Sequence, residues 1–211
     1  MAVDADGSRP AAAGGARAGV TPGPVRAFVA VQLDEAVRTA LGVQLERLRL
    51  AAPRVAWVPA QNLHLTLRFL GGVEADTLPR VTRALEALAG EARPFELAVG
   101  GLGAFPTAAR ARVVWAGLSG GGEAVRALAG RVEAALAPVG FEPEARPFSP
   151  HVTLGRVRAP RPDPRLEAAL ADGAGLDFGR VRVDTVWLMR SDLGAAGARY
   201  SAIAAVPLAG R

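Results

Sequence analysis

Residues 62–70 read "NLHLTLRFL" and residues 151–157 read "HVTLGRV". Both stretches alternate apolar and polar residues, the period of a strand with one buried face. In the first, Leu63, Leu65, Leu67 and Phe69 fall on one face, and His64, Thr66 and Arg68 on the other. In the second, Val152 and Leu154 fall on the buried face, and His151, Thr153 and Gly155 on the open one. His64 and His151 are the only two histidines in the chain, and they stand 87 positions apart.

The segments around each motif follow the same series. Before His64, "VRAFVAVQL" (25–33) predicts a strand, and Val37, Leu41, Leu45 and Leu48 mark one face of a helix. After it, Leu78, Val81, Leu85 and Leu88 predict a second helix, and "FELAVGGLGAF" (95–105) a strand running into a glycine-rich bend. The series then recurs. "RVVWAGL" (112–118) predicts a strand, and Val125, Leu128, Val132 and Leu136 a helix before the His151 strand. A short helix over 164–171, a strand over 180–189 and a last strand around "RYSAIAAVPL" complete the chain. Leu41 precedes His64 by the same 23 residues that separate Leu128 from His151, and Glu46 and Glu133 share the offset of 87. The repetition predicts two pseudo-symmetric lobes within one domain over 25–211.

Residues 1–24, rich in Ala, Gly and Pro and without periodicity, are expected to form a disordered tail. This stretch lacks the apolar core of a signal peptide. No apolar run approaches the ~20 residues that span a bilayer, so a cytoplasmic location is expected. The chain has no cysteine, which removes disulfides and thiol nucleophiles together. Its net charge is +5, and every basic residue is arginine. Base composition of a GC-rich genome accounts for that bias, yet a surplus of guanidinium groups also favours phosphate and RNA partners.

If the lobes face each other, two imidazoles and two hydroxyls meet in one cleft. Histidine titrates near neutrality, so one imidazole can take a proton from water while the other protonates a leaving alkoxide. The hydroxyls of Thr66 and Thr153 can donate to non-bridging phosphate oxygens. Zinc takes three or four ligands at close quarters. With two histidines and no carboxylate inside either motif, no metal and no cofactor are expected. Ser149 lies near His151 but lacks the pattern of a nucleophile elbow.

"NLHLTLRFLGGV" and "RPFSPHVTLGRVR" closely resemble the two His-x-Thr-x motifs of the 2H phosphoesterase superfamily. More narrowly, "WVPAQNLHLTLRFLG" and "GLGAFP…RVVWAGL" resemble the bacterial RNA 2′,3′-cyclic phosphodiesterases, formerly called 2′–5′ RNA ligases. The resemblance covers about residues 25–208. It implies a bilobal α+β fold, with two antiparallel sheets facing a central cleft and helices outside. It also implies hydrolysis of a terminal 2′,3′-cyclic phosphate on RNA to a 2′-phosphate. By motif position His64 is then the proton donor, His151 the proton acceptor, and Thr66 and Thr153 the phosphate-holding residues.

Arg156 follows as a phosphate ligand if Gly155 marks a bulge that re-aims it toward the cleft. Arg68 is a second candidate on the open face. Phe148 and Phe105 are candidates for base stacking, with core packing as the competing role. Trp57, Trp115 and Trp187 are assigned to core or lobe packing. Two other functions compete: joining RNA ends through a 2′–5′ linkage at the same site, and non-catalytic binding of RNA ends. A monomer is expected, because the duplication supplies both halves of the site.

Overall fold

The computed structural model describes residues 23–159, 161–194 and 197–210. The expected tail over 1–24 lies outside these residues apart from its last two positions. The fold is mixed α/β: four helices cover one face of a curled antiparallel sheet. Among the described residues, no helix is long and apolar enough to cross a membrane.

The helices form where the apolar spacing predicts them. Helix α1 (Glu35–Ala51) buries Val37, Leu41, Leu45 and Leu48. Helix α2 (Leu78–Glu91) buries Val81, Leu85 and Leu88, and α3 (Gly122–Leu136) buries Val125, Leu128, Val132 and Leu136. Helix α4 (Pro164–Asp172) starts at Asp163, whose side chain accepts from the backbone N–H groups of Arg165 and Leu166. That cap satisfies two donors that the first turn leaves without a helical partner. All four apolar stripes join one hydrophobic core with the inward strand residues.

The strands are β1 (Val25–Gln32), β2 (Ala56–Trp57), β3 (His64–Val73), β4 (Phe95–Phe105), β5 (Val113–Gly120), β6 (Val152–Arg156), β7 (Asp177–Val183), β8 (Thr185–Gly194) and β9 (Gly197–Pro207). They form one sheet in the order β7-β4-β5-β6-β3-β1-β8-β9, with β2 paired to β6. The resemblance implied two sheets; here β6 and β3 are joined, through the single pair Leu65↔Val152. The helical layer also bridges this seam, since α1 packs on α4 and β7, and α3 packs on α2 and β3. Strands related by the 87-residue offset take mirrored places about the seam: β3 with β6, β1 with β5, β8 with β4.

The strand expected over 180–189 is two strands. The chain passes from β7 to β8 through Asp184 alone, although β7 pairs with β4 and β8 with β1. One residue can bridge these distant places in the strand order only because the sheet curls. The parity of the apolar residues changes at this point, since Val181 and Val183 are buried before it and Val186 and Leu188 after it.

Candidate active site

The face of the sheet away from the helices carries both histidines on the two central strands. Counting antiparallel from Leu65↔Val152, His64 faces Thr153 and Thr66 faces His151. Each imidazole is held in the same way. His64 Nδ1 lies 2.8 Å from the Asn62 carbonyl oxygen, and His151 Nδ1 lies 2.7 Å from the Ser149 carbonyl oxygen. A carbonyl can only accept, so Nδ1 carries the proton and Nε2 is left for chemistry in both rings. Asn62 and Ser149 are themselves 87 positions apart.

Beyond these anchors the two sites differ. His64 Nε2 lies 3.0 Å from Thr66 Oγ1, and its ring stacks on Phe28 with centroids 4.7 Å apart. The Tyr200 ring meets it edge-on at 5.2 Å. Phe28, Ala30 and Met189 form a second buried cluster on this face, with Trp187 and Tyr200 packed against it. The side chain of Asn62 donates to the Ala198 carbonyl at 2.8 Å, tying β9 to the His64 loop. His151 is met edge-on by Phe105 at 5.1 Å, and Phe105 lies 5.3 Å from Trp115.

Burial pushes the His64 imidazole below the ordinary histidine value, against the opposing pull of the Asn62 carbonyl. Burial also lowers His151; the Ser149 carbonyl opposes this and the positive charge of Arg156 adds to it.

A pair of bulges decides which neighbouring side chains reach the face that carries the histidines. Opposite β1, Val29 pairs with Arg68 and Ala30 with Thr66, leaving Leu67 as the extra residue of β3. Opposite β5, Val114 pairs with Gly155 and Trp115 with Thr153, leaving Leu154 as the extra residue of β6. Leu67 and Leu154 are again separated by 87. Each extra residue reverses the alternation that follows it.

Arg68 therefore turns to the helix side, contrary to strict alternation. It is 9% exposed and sits 3.0 Å from Glu133 and 3.4 Å from Glu144, and its Nη2 donates to the Glu142 carbonyl. Its guanidinium is committed to these groups, so its assignment as a substrate ligand gives way to a packing role. Phe69, expected in the core, is instead 54% exposed and packs beside Phe28. Gly155 takes the place equivalent to Arg68. A Cβ there would lie 2.7 Å from both Trp57 and Val55, so only glycine lets the strand pass. Arg156 then takes the place equivalent to Phe69, exposed and close enough to bear on the charge of His151.

The remaining candidates separate cleanly. Phe148 packs against the main core, and Trp57 does so with its indole N–H donating to the Ala52 carbonyl. Phe105 stands beside His151. Trp115 and Trp187, expected as packing residues, share the cleft face by register with Thr153 and with Ala30. The indole of Trp115 lies over Gly103, where a Cβ would overlap it at 2.3 Å. The sequence reading missed Phe28, Tyr200 and the two anchoring carbonyls. The carbonyls were findable from the common offset, whereas Tyr200 reaches His64 from a strand 136 residues away. Among the described residues, no group of three or more His, Asp or Glu side chains could hold a metal ion.

A helix-backed antiparallel sheet with a His-x-Thr pair on each of two adjoining central strands defines a 2H phosphoesterase. The sequence pattern of the 2′-5′ RNA ligase superfamily matches residues 37–195, and the chain belongs to that superfamily. The RNA 2′,3′-cyclic phosphodiesterase of Methanothermobacter thermautotrophicus is 36% identical over 177 residues, covering 84% of this chain and 95% of that protein. The protein of that name from Aeropyrum pernix is 36% identical over 146 residues, covering 69% and 82%. A crystal structure from Thermus thermophilus superposes with a TM-score of 0.72 at 31% identity, covering 88% of this chain and 98% of that one. Escherichia coli LigT complexed with 3′-AMP superposes at 0.65 and 28% identity, with the same coverage.

Proposed function

We propose that the chain hydrolyses a terminal 2′,3′-cyclic phosphate on RNA to a 2′-phosphate with a free 3′-hydroxyl. The observation that carries this reading is the matched pair of imidazoles, each pinned at Nδ1 by a carbonyl two residues upstream, which leaves Nε2 to the threonine side in His64 and to chemistry in both rings. His151 Nε2 takes a proton from water as its oxygen attacks phosphorus. The bond from phosphorus to O3′ breaks, and His64 Nε2–H gives its proton to O3′. Burial lowers both imidazoles, and the Arg156 cation adds to this at His151 alone, which favours His151 as the neutral base. Thr66, Thr153 and Arg156 hold the non-bridging oxygens, and Phe105 orients His151 from the side. The mirrored strand order supports two lobes related by a pseudo-twofold through the seam, each supplying one histidine to a monomer. The relatives named RNA 2′,3′-cyclic phosphodiesterase support an RNA substrate.

The test is a product assay in EDTA on a short RNA ending in a 2′,3′-cyclic phosphate, followed by phosphorus NMR. A 2′-phosphate product is expected. His64→Ala and His151→Ala should each lower kcat by about 10²–10⁴ while RNA-end binding persists. A 2′–5′-joined product that grows with RNA concentration would identify end joining instead. Binding without turnover in the native chain would leave only an RNA-end-binding module. Activity restored to an EDTA-treated sample by added metal would overturn the metal-free mechanism.

A further inference from the structure

At the C-terminal end of β6 the molecule carries a second feature, away from the histidines. A groove of about 400 Å³ lies between the end of α1 and the start of α4. Its walls are apolar where Val55, Val157 and Leu166 line it, and its rim holds Arg54, Arg158, Arg161 and Arg165. Among the described residues Asp163 is the only carboxylate in the lining, and its oxygen is taken up by the backbone N–H groups of Arg165 and Leu166. Arg110 and Arg112 stand alongside, since Ala111 lines the groove and the Arg112 carbonyl accepts from Val157. None of these six arginines makes an ion pair among the described residues, and all six are exposed.

Elsewhere some arginines find carboxylates, as Arg38 does with Glu35, Arg49 with Glu46, Arg68 with Glu133 and Arg190 with Asp192, and others such as Arg47 and Arg80 stand exposed without an ion pair; what sets the groove apart is that four exposed arginines without an ion pair line one depression. Guanidinium groups gathered round one groove without carboxylate partners repel one another. The arrangement is resolved by a polyanion lying across them. Arg156 joins this patch to the cleft: it ends β6, two residues before Arg158, and lies near His151. A strand of RNA whose cyclic end sits between the histidines can therefore leave past Arg156 and lay its next phosphates on the rim.

We infer that the arginine-rimmed groove holds the RNA backbone upstream of the cyclic end, so that the enzyme prefers an oligonucleotide to a single nucleotide. This rests on the phosphodiesterase reading and extends it from the reacting end to the body of the substrate. Guanidinium forks suit phosphodiesters, and the contact is with backbone charge rather than base sequence.

The test compares Arg158→Gln/Arg161→Gln/Arg165→Gln with a control variant that loses charge elsewhere, Arg80→Gln/Arg83→Gln on the exposed side of α2. Each is given a nucleoside 2′,3′-cyclic phosphate and an oligonucleotide of about ten residues with the same end, a length typical of single-strand binding sites. The rim variant should turn over the mononucleotide as the native chain does. Its KM for the oligonucleotide should rise at least about tenfold, and its salt dependence should flatten by about two units of logarithmic slope. Anisotropy of the same oligonucleotide ending in a 2′-phosphate gives the binding change without turnover. Unchanged oligonucleotide KM and binding in the rim variant would overturn the inference while leaving the phosphodiesterase intact. Equal losses in the control variant would overturn it too, assigning the effect to net charge. A native chain that turns over neither substrate defeats the phosphodiesterase reading, and the anisotropy then decides the groove alone. Capture by anionic-lipid vesicles with no effect of the rim on RNA would give the patch to a membrane and likewise overturn the inference.

Discussion

At the scale of single residues, the cleft is built from like parts put to unlike use. Both rings are anchored at Nδ1, but His64 lies in an aromatic setting of Phe28 and Tyr200, while His151 feels Arg156. The offset places Phe69 and Arg156 at equivalent bulged positions, giving one half of the cleft an apolar edge and the other a cationic one. The proposed mechanism needs one ring charged and the other neutral in the free enzyme, and burial lowers both below the ordinary histidine value of 6.5. The kcat/KM profile should therefore be a bell with its maximum on the acid side of that value. The kcat profile should lie at higher pH, because a bound phosphate anion favours the charged form of both rings. A rate profile over pH 4–9 checks this, and a kcat/KM maximum above pH 8 would reject the two-histidine assignment.

At the scale of elements, the bulges at Leu67 and Leu154 determine what the strands present. Replacing Gly155 by Val drives a side chain into Trp57 and Val55 and should cost about 3 kcal/mol in urea unfolding. Replacing Arg68 by Met strands the Glu133 carboxylate and should cost about 2–3 kcal/mol, with KM for the cyclic phosphate unchanged. A raised KM at native stability would return Arg68 to the substrate. The helices were legible in the sequence because their stripes obey one period throughout. The strands were legible in place but not in facing, because strict alternation was read across a break in it. The break leaves a trace: apolar residues stand three apart at Leu67 and Leu70, at Leu154 and Val157, and at Val183 and Val186. The first two pairs mark bulges, and the third marks the passage from β7 to β8. The bulge at Leu154 was the one readable directly, from Gly155 beside it inside a strand.

At the scale of the whole molecule, the 87-residue recurrence was legible from the histidines outward, yet the pairing of β3 with β6 was not. A single backbone pair, Leu65↔Val152, and helices shared across the seam leave no local pattern. The burial of the two imidazoles has a consequence for acid stability. Both imidazoles bind protons less readily in the native chain than in the unfolded one, whose histidines titrate near 6.5. Between the lowered native values and 6.5 the unfolded state holds more protons, so stability rises with pH across that window and is lost as pH falls through it. The urea midpoint should therefore drop from pH 7.5 to pH 5, and His64→Gln/His151→Gln should remove much of the drop. An equal drop in that double variant would assign the acid sensitivity to other groups.

The strand order also divides the chain unequally in time. Residues 95–183 run without interruption through β4, β5, β6 and β7, the side of the seam that holds His151. The side that holds His64 opens with β1 and β3 but closes only with β8 and β9, which bring Tyr200 and the carbonyl that Asn62 grips. A chain growing from its N-terminus on the ribosome thus completes the surroundings of His151 first and those of His64 last. On the proposed assignment, a polypeptide released early would own a finished proton acceptor beside an unfinished donor, so translation itself would withhold the cutting activity until the final strand has emerged.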